Sequence, residues 1–404
     1  MSKVETAARV LTARLPDGSK THTVVDPQGL PVTPVEEYLN FLRQDRASPH
    51  TVQAYARGLA AWFTLLGDGQ WDWTDFPTFL FGTFLTYLRT GDLPSVARIG
   101  PPGVWLSEAS VAQRSAAVLA FYTWQASANG HQTALSRLYS SGRPRRAPYV
   151  RALAGVTDHS KASQGGRPIY RSRRPHRGRP PVLTPEQINT IVGDCVPRNS
   201  TPEARLSAAR DKFLFALLPE TALRLGEALS LRHCDFHVGA GDTPRVDVVP
   251  RQDHPHGCRS KSDRFRQIYI SDELEAAYSA YVWELIDAGI DLAIPEVDQH
   301  WVFVNVAREP LWAPMAPGTV YDRVAAIKRR HPDLPQDWGP HWMRHTHATA
   351  LLLAGVPPHV VMRRLGHADY QTTLEMYGWV TEDAELRNLS EWKTFTAGWK
   401  ELNA

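Results

Sequence analysis

The stretch HWMRHTHATALLLAGVPPHVVMRRLGHADYQTTLEMYG, residues 341–378, decides how this chain is read. His341 and Arg344 stand three apart, so on a helix their side chains share a face. The apolar run behind them ends at Gly355, a residue suited to the left-handed position just past a helix. Pro357 allows a restart and Gly366 a second stop. His367 follows that stop, and Tyr370 to Tyr377 reads as a further short helical stretch. Polar groups able to bind anions or move protons thus gather at element ends, where backbone geometry exposes them.

Working outward, TALRLGEALSL (221–231) buries one face through its leucines and leaves Arg224 at its start. RVDVVPR (245–251) and FRQIYI (265–270) alternate like strands, and the connection between them carries Lys261. Thr184-Pro185-Glu186-Gln187 has the spacing of a helix cap with Pro at the first turn. The pattern further predicts a buried helix over 212–218, a helix from Ser271 through Leu285, a strand at WVFVN (301–305), and a helix with Tyr321, Val324 and Ile327 on one face. Helices with short strands are expected throughout 183–404.

The N-terminal half reads differently. Residues 1–30 lack sustained periodicity and are expected to form a flexible tail. Val35, Tyr38, Leu39 and Leu42 then begin a helical stripe. Ser48-Pro49 opens a second helix with the stripe Val52, Tyr55, Leu59, Trp62, Phe63 and Leu66. A third runs from Phe79 to Leu88. A fourth starts near Ser110, which has capping-box spacing to Gln113, and carries Val111, Ala117, Val118, Phe121 and Trp124. A helical domain over 31–140 follows, its aromatic stripes forming core. Between the domains, 141–182 is rich in Gly, Pro, Ser and Arg and reads as a linker.

Composition bounds the function. The chain has 404 residues, 43% hydrophobic and 22% charged, with a net charge of +3. Three cysteines exclude a disulfide scaffold and fit a reducing compartment. No apolar run is long enough for a membrane span, and no secretory signal is visible at the N-terminus. Of the 45 basic residues 37 are Arg, and Arg143 to Arg179 holds eleven Lys or Arg against one acid, Asp158. Such a block suits polyanions, or serves only as a solvated linker.

Two arginines, two histidines, a lysine and a tyrosine together suit phosphodiester chemistry. Arginine forks grip non-bridging phosphate oxygens and stabilise a charged transition state. Tyrosine is a candidate nucleophile and lysine a proton donor. Each has a plainer role open to it: Arg224 as an ion pair with Glu227, each His as a structural hydrogen bonder, Lys261 as an ordinary hairpin residue. A zinc site is a further alternative, from His233, Cys234, His237, His254, His256 and Cys258, although their spacing matches no standard finger.

TALRLGEALSL, HWMRHTHATALLLAGV and LGHADYQTTLEMYG resemble the three boxes of the tyrosine recombinases, the phage-integrase family, and SPHTVQAYARGLAAWF (48–63) resembles its SAM-like core-binding domain. The resemblance implies a mainly α fold with a small β-sheet: a helical core-binding domain over 31–140 and a catalytic domain over 183–404, with a tail helix from about 384. It implies Arg224, Lys261, His341, Arg344, His367 and the nucleophile Tyr377 as catalytic residues. Double-stranded DNA with specific recombination sites is the implied partner, bound by a homotetramer whose chains are monomers or weak oligomers when free. A DNA-bending accessory protein is allowed for. No cofactor, metal or membrane is implied, and the expected location is the cytoplasm, on the nucleoid when DNA is bound. Arg171, Arg173, Arg174 and Arg177 are expected to touch phosphates. Two other readings use the same residues: type IB topoisomerase-like cleavage and religation, and a DNA-binding regulator without catalysis. Leu389, Trp392, Phe395 and Trp399 form a stripe that would pack on its own domain or dock on a neighbouring protomer.

Overall fold

A computed structural model describes residues 7–14, 20–45, 47–95, 105–140, 167–170, 180–239, 241, 243–259 and 264–366. The chain divides into two compact units, Met1–His176 and Arg177–Ala404. Among the described residues no helix is long and apolar enough to cross a membrane.

The first unit opens on an antiparallel hairpin, β1 (Arg9–Arg14) and β2 (Lys20–Val25), which corrects the expectation of a loose tail over 1–30. The signal was weak because only β2 has an inner face: Val24 and Val25 are buried, while β1 is mostly exposed. Helices α1 (Thr33–Gln44), α2 (Pro49–Asp68), α3 (Leu80–Thr90), α4 (Glu108–Ala128) and α5 (Gln132–Leu138) follow. A short pair, β3 (Tyr139–Ser140) with β4 (Arg167–Pro168), completes the unit. Ser48 caps α2 by accepting from the Thr51 amide. The cap of α4 is Ser107 rather than Ser110: Ser107 Oγ accepts from the Ser110 amide, so Ser110 lies inside the first turn. Trp62 sits at the centre, ringed edge-on by Phe76, Phe81, Phe84 and Tyr122. Gly58 lets α2 and α4 touch, since a Cβ there would fall 2.9 Å from Ala117 Cβ and from the Arg114 carbonyl.

In the second unit, α6 (Pro185–Gly193) starts with the expected reciprocal cap between Thr184 and Gln187. Helix α7 (Pro202–Thr221) extends well beyond 212–218 and runs through the core, packed against α9 (Asp272–Asp287) and α12 (Pro340–Leu353). Phe213 stacks on Phe303 and Tyr281. Helix α8 (Leu225–Leu229) leads to an antiparallel sheet ordered β5 (Phe236–His237), β6 (Arg245–Val248), β7 (Arg266–Tyr269). The remaining helices are α10 (Ile290–Ala293), α11 (Pro317–Arg330) and α13 (Pro358–Leu365).

Two expectations change here. WVFVN is not a strand: Trp301 and Val304 make isolated bridges to Arg232 and Pro314, and Val302, Phe303 and Val304 are fully buried. The run is apolar because it lies within the core, so alternation was no guide. On α11 the buried face is Val320, Val324 and Ile327, leaving Tyr321 exposed. The architecture is helical with small antiparallel sheets, as expected.

Candidate active site

Arg224 is the N-cap residue of α8, with an extended backbone. Its amide donates to Glu227 Oε2 at 2.9 Å and its Nη1 donates to Oε1 at 3.0 Å. Glu227 stands three residues on, where a carboxylate both satisfies the N-cap amide and faces the helix dipole. Arg266, on the inner face of β7, reaches the same carboxylate: Nη2 to Oε2 at 2.7 Å and Nη1 to Oε1 at 3.4 Å. Arg344 Nη1 lies 3.9 Å from Oε2. Burial alone would raise the Glu227 carboxyl, but Arg266 foremost and then Arg224 hold it below its ordinary value. Among the described residues here, three guanidiniums thus surround one carboxylate.

Arg344 is almost fully buried and joins two segments. It donates through Nη1 to the Ala222 carbonyl and through Nη2 to the Leu365 carbonyl, both at 2.6 Å. Ala222 ends α7 in the left-handed conformation, φ +56°, and this turn presents its carbonyl. Leu365 closes α13, and Gly366 follows at φ +63°. The last carbonyls of α13, where its dipole is negative, thus receive two arginines: Arg344 at Leu365 and Arg266 at Arg364, Nε to oxygen 3.1 Å.

His341 is exposed one turn before Arg344, its ring 4.4 Å centroid to centroid from that of His345 in an edge-on contact. Burial, then His341 and Arg344, push the His345 imidazole down to about 4, so it is a neutral support for the His341 ring. His347 is likewise lowered to about 4, by burial and then by Arg364. Its Nδ1 donates to the Pro219 carbonyl at 2.8 Å and its Nε2 accepts from Arg364 Nε at 2.9 Å, which assigns the tautomer. Arg364 also donates to the carbonyls of Glu220 and Tyr269.

The structure therefore brings Arg224 and Arg344 together and sets His341 one turn from Arg344. Lys261, His367 and Tyr377 lie outside the described residues, as do Arg171, Arg173, Arg174 and Arg177, the stretch from Tyr370 and the tail from about 384. The chain leading to Lys261 is described as far as Arg259. Arg251 pairs bidentately with Asp235, and Arg232 pairs with Asp253. His254 and Cys258 are buried, and Arg259 passes so close to α8 that a Cβ on Gly226 would lie 3.3 Å from its carbonyl. Sequence reasoning treated Glu227 only as a rival explanation of Arg224 and missed Arg266, His345, His347 and Arg364. The one available signal was Arg266 itself, a charged residue on the apolar phase of a strand.

The zinc alternative fails on placement. His233 Nδ1 bonds Tyr278 Oη at 2.9 Å, His237 pairs with Asp247 at 3.1 Å, and His254 packs edge-on against Trp301. Among the described residues no three His, Cys, Asp or Glu are grouped to hold a metal ion.

Residues 181–383 match the model of the phage integrase family, and residues 35–129 match the phage integrase N-terminal SAM-like domain. Transposase A from transposon Tn554 of Staphylococcus aureus is 24% identical over 360 residues, covering 88% of this chain and 90% of the relative. An integrase/recombinase of Escherichia coli is 28% identical over 280 residues, 64% of this chain and 75% of that one. Among solved structures, the XerH site-specific recombinase bound to palindromic difH substrate superposes with a TM-score of 0.55 at 17% identity, covering 89% of this chain and 84% of that chain. The Tn1549 transposon integrase in complex with transposon right end DNA gives 0.54 at 16% identity, over 88% and 99%. With half its length in the integrase model and most of its helical unit in the SAM-like one, this chain belongs to the phage integrase family, the tyrosine recombinases that break and rejoin DNA.

Proposed function

We propose that the chain carries out site-specific recombination of double-stranded DNA at a centre formed by Arg224, Lys261, His341, Arg344, His367 and Tyr377. The observation that carries this reading is the meeting of Arg224 and Arg344, distant in sequence, on the buried Glu227, with Arg266 beside them. A phosphodiester is the anion that this residue set suits. The Tyr377 oxygen attacks phosphorus, forming a 3′-phosphotyrosyl bond as the bond to the 5′-oxygen breaks. Lys261 gives that oxygen its proton, and Arg224, Arg344 and His367 stabilise the charge on the non-bridging oxygens. His341 assists by proton transfer or hydrogen bonding, with neutral His345 behind it. A 5′-hydroxyl from a partner strand then attacks the phosphotyrosine, restoring a phosphodiester and free Tyr377. The energy of the broken bond is kept, so no step calls for a nucleotide or a metal.

On this reading four protomers act on two duplexes, and the helical and catalytic domains are joined by a linker, 141–182, whose Arg171, Arg173, Arg174 and Arg177 neutralise phosphates. A DNA-bending protein fits beside such an assembly, and the reducing cytoplasm suits the cysteine count. The matched SAM-like domain and the transposon relatives favour recombination over simple relaxation. The test is a nicked suicide duplex in excess EDTA. Wild type becomes covalently attached, Tyr377→Phe binds without attaching, and Tyr370→Phe still attaches. An adduct that survives in Tyr377→Phe, or one lost in Tyr370→Phe alone, overturns the assignment.

A further inference from the structure

We infer that Arg266 is a positioning residue for DNA cleavage, a keystone that joins β7, the two candidate phosphate arginines and the end of α13, after which His367 follows in the sequence. The inference rests on the proposed site and adds to it a residue that touches no substrate.

Arg266 occupies the buried phase of β7, between the exposed Phe265 and Gln267 and in line with fully buried Ile268. Placing a guanidinium there costs several kcal/mol unless it is paired, and an apolar side chain would pack with less penalty. Its pairing is directional. The Nη edge takes the Glu227 carboxylate at 2.7 and 3.4 Å, and Nε points to the Arg364 carbonyl at 3.1 Å. The planar fork makes both contacts at once; a lysine ammonium, a single point of charge, cannot span them.

Both contacts bear on the site. Of these three arginines Arg266 stands nearest to Glu227, at 2.7 Å against 3.0 Å for Arg224 and 3.9 Å for Arg344. Glu227 is thereby balanced largely by a residue that does not face substrate. The carboxylate orients Arg224 through its 3.0 Å pair and lies 3.9 Å from Arg344, which the Ala222 and Leu365 carbonyls hold. The Nε bond fixes the last turn of α13, two residues before Gly366, and that turn packs on β7. Lys261 lies five residues before Arg266 in the sequence. One side chain thus sets the register among three chain segments that supply the chemistry.

The test measures single-turnover attachment to the suicide duplex, DNA affinity and melting temperature for wild type, Arg266→Lys, Lys261→Ala and the pair Glu227→Gln with Arg266→Met. Arg266→Lys should bind DNA within about threefold of wild type yet cleave at least about tenfold more slowly, a loss confined to the transition state. A 5′-bridging phosphorothiolate, whose thiolate leaves without a proton, should rescue Lys261→Ala and restore in part the rate of Arg266→Lys, the share lost through a misplaced Lys261, which a general weakening of the fold would not arrange. The double variant removes Arg266 with its partner charge but leaves Arg224 and Arg344 without their carboxylate, so it should melt below wild type and, where folded, still cleave at least about tenfold more slowly. Full-rate cleavage by Arg266→Lys, or by a folded double variant, overturns the inference alone. Failure of wild type to attach through Tyr377 overturns the proposed site and this inference with it.

Discussion

Trp62 and Glu227 are each almost fully buried, one at the centre of the helical unit and the other among α8, β7 and α12. Around Trp62 the neighbours are aromatic, and its one polar atom is satisfied locally: Nε1 donates to Tyr122 Oη at 2.9 Å, which donates to the Trp73 carbonyl at 2.8 Å. Around Glu227 stand three arginines, each with a defined direction. An apolar centre depends on volume, so it tolerates swaps that keep volume. A buried charge cluster depends on which atom meets which, so removing one member strands the others. The helical unit is therefore built to hold shape, and the second unit spends stability to hold chemistry.

Acid should separate the two units most strongly. Burial lowers four described histidines of the second unit, His233, His254, His345 and His347, to about 4 each. In the helical unit burial, followed by Arg57, lowers His22 alone among the described residues. Unfolded imidazoles titrate near their ordinary value, so the unfolded state binds more protons between about pH 6.5 and 4. The stability gained by keeping these rings neutral is complete above pH 7 and lost as pH falls through that window. At pH 5 the loss is about 2 kcal/mol per group. Hydrogen exchange at pH 7 and pH 5 should show protection collapsing in α7, α12 and the β5–β7 sheet while α2 and α4 keep theirs. Equal loss in both units would break the comparison.

The next effect comes from changing each centre once. Glu227→Leu leaves the buried Arg266 and Arg344 and the half-buried Arg224 without their carboxylate and should cost about 3–5 kcal/mol. Trp62→Phe keeps an aromatic ring and removes one donor, and should cost about 1–2 kcal/mol. Denaturant unfolding of the two variants checks the ratio, and a larger loss for Trp62→Phe would reverse the assignment of roles.

The smallest effect is expected at Ala222, whose left-handed backbone presents the carbonyl that Arg344 grips. Ala222→Gly relieves about 1 kcal/mol of backbone strain and gives up a buried methyl of similar worth. Stability should move by less than about 1 kcal/mol, with cleavage unchanged because the turn is kept. A slower cleavage rate would show that the Cβ, packed against Ala348, Val361 and Leu365, also helps to place Arg344.

Local signals in the sequence determined most helices of this protein and the order of its boxes. Ser48 before Pro49, Thr184 with Gln187, Ser271, Gly355 and Gly366 each act through bonds or backbone angles reaching four residues at most, so they can be read in place. Where burial on one side decided the outcome, local pattern misled. β1 and β2 form because Val24 and Val25 find a core, WVFVN is apolar without pairing along its length, and Tyr321 yields the inner face to Val320. The candidate site divides along the same line. Arg224, His341 and Arg344 could be named from the boxes, but the roles of Glu227 and Arg266 required α8, β7, α12 and the end of α13 to arrive at one point. Coulombic and hydrogen-bond partners are chosen by distance in space, and only the tertiary fold turns residues 224, 266, 344 and 364 into neighbours.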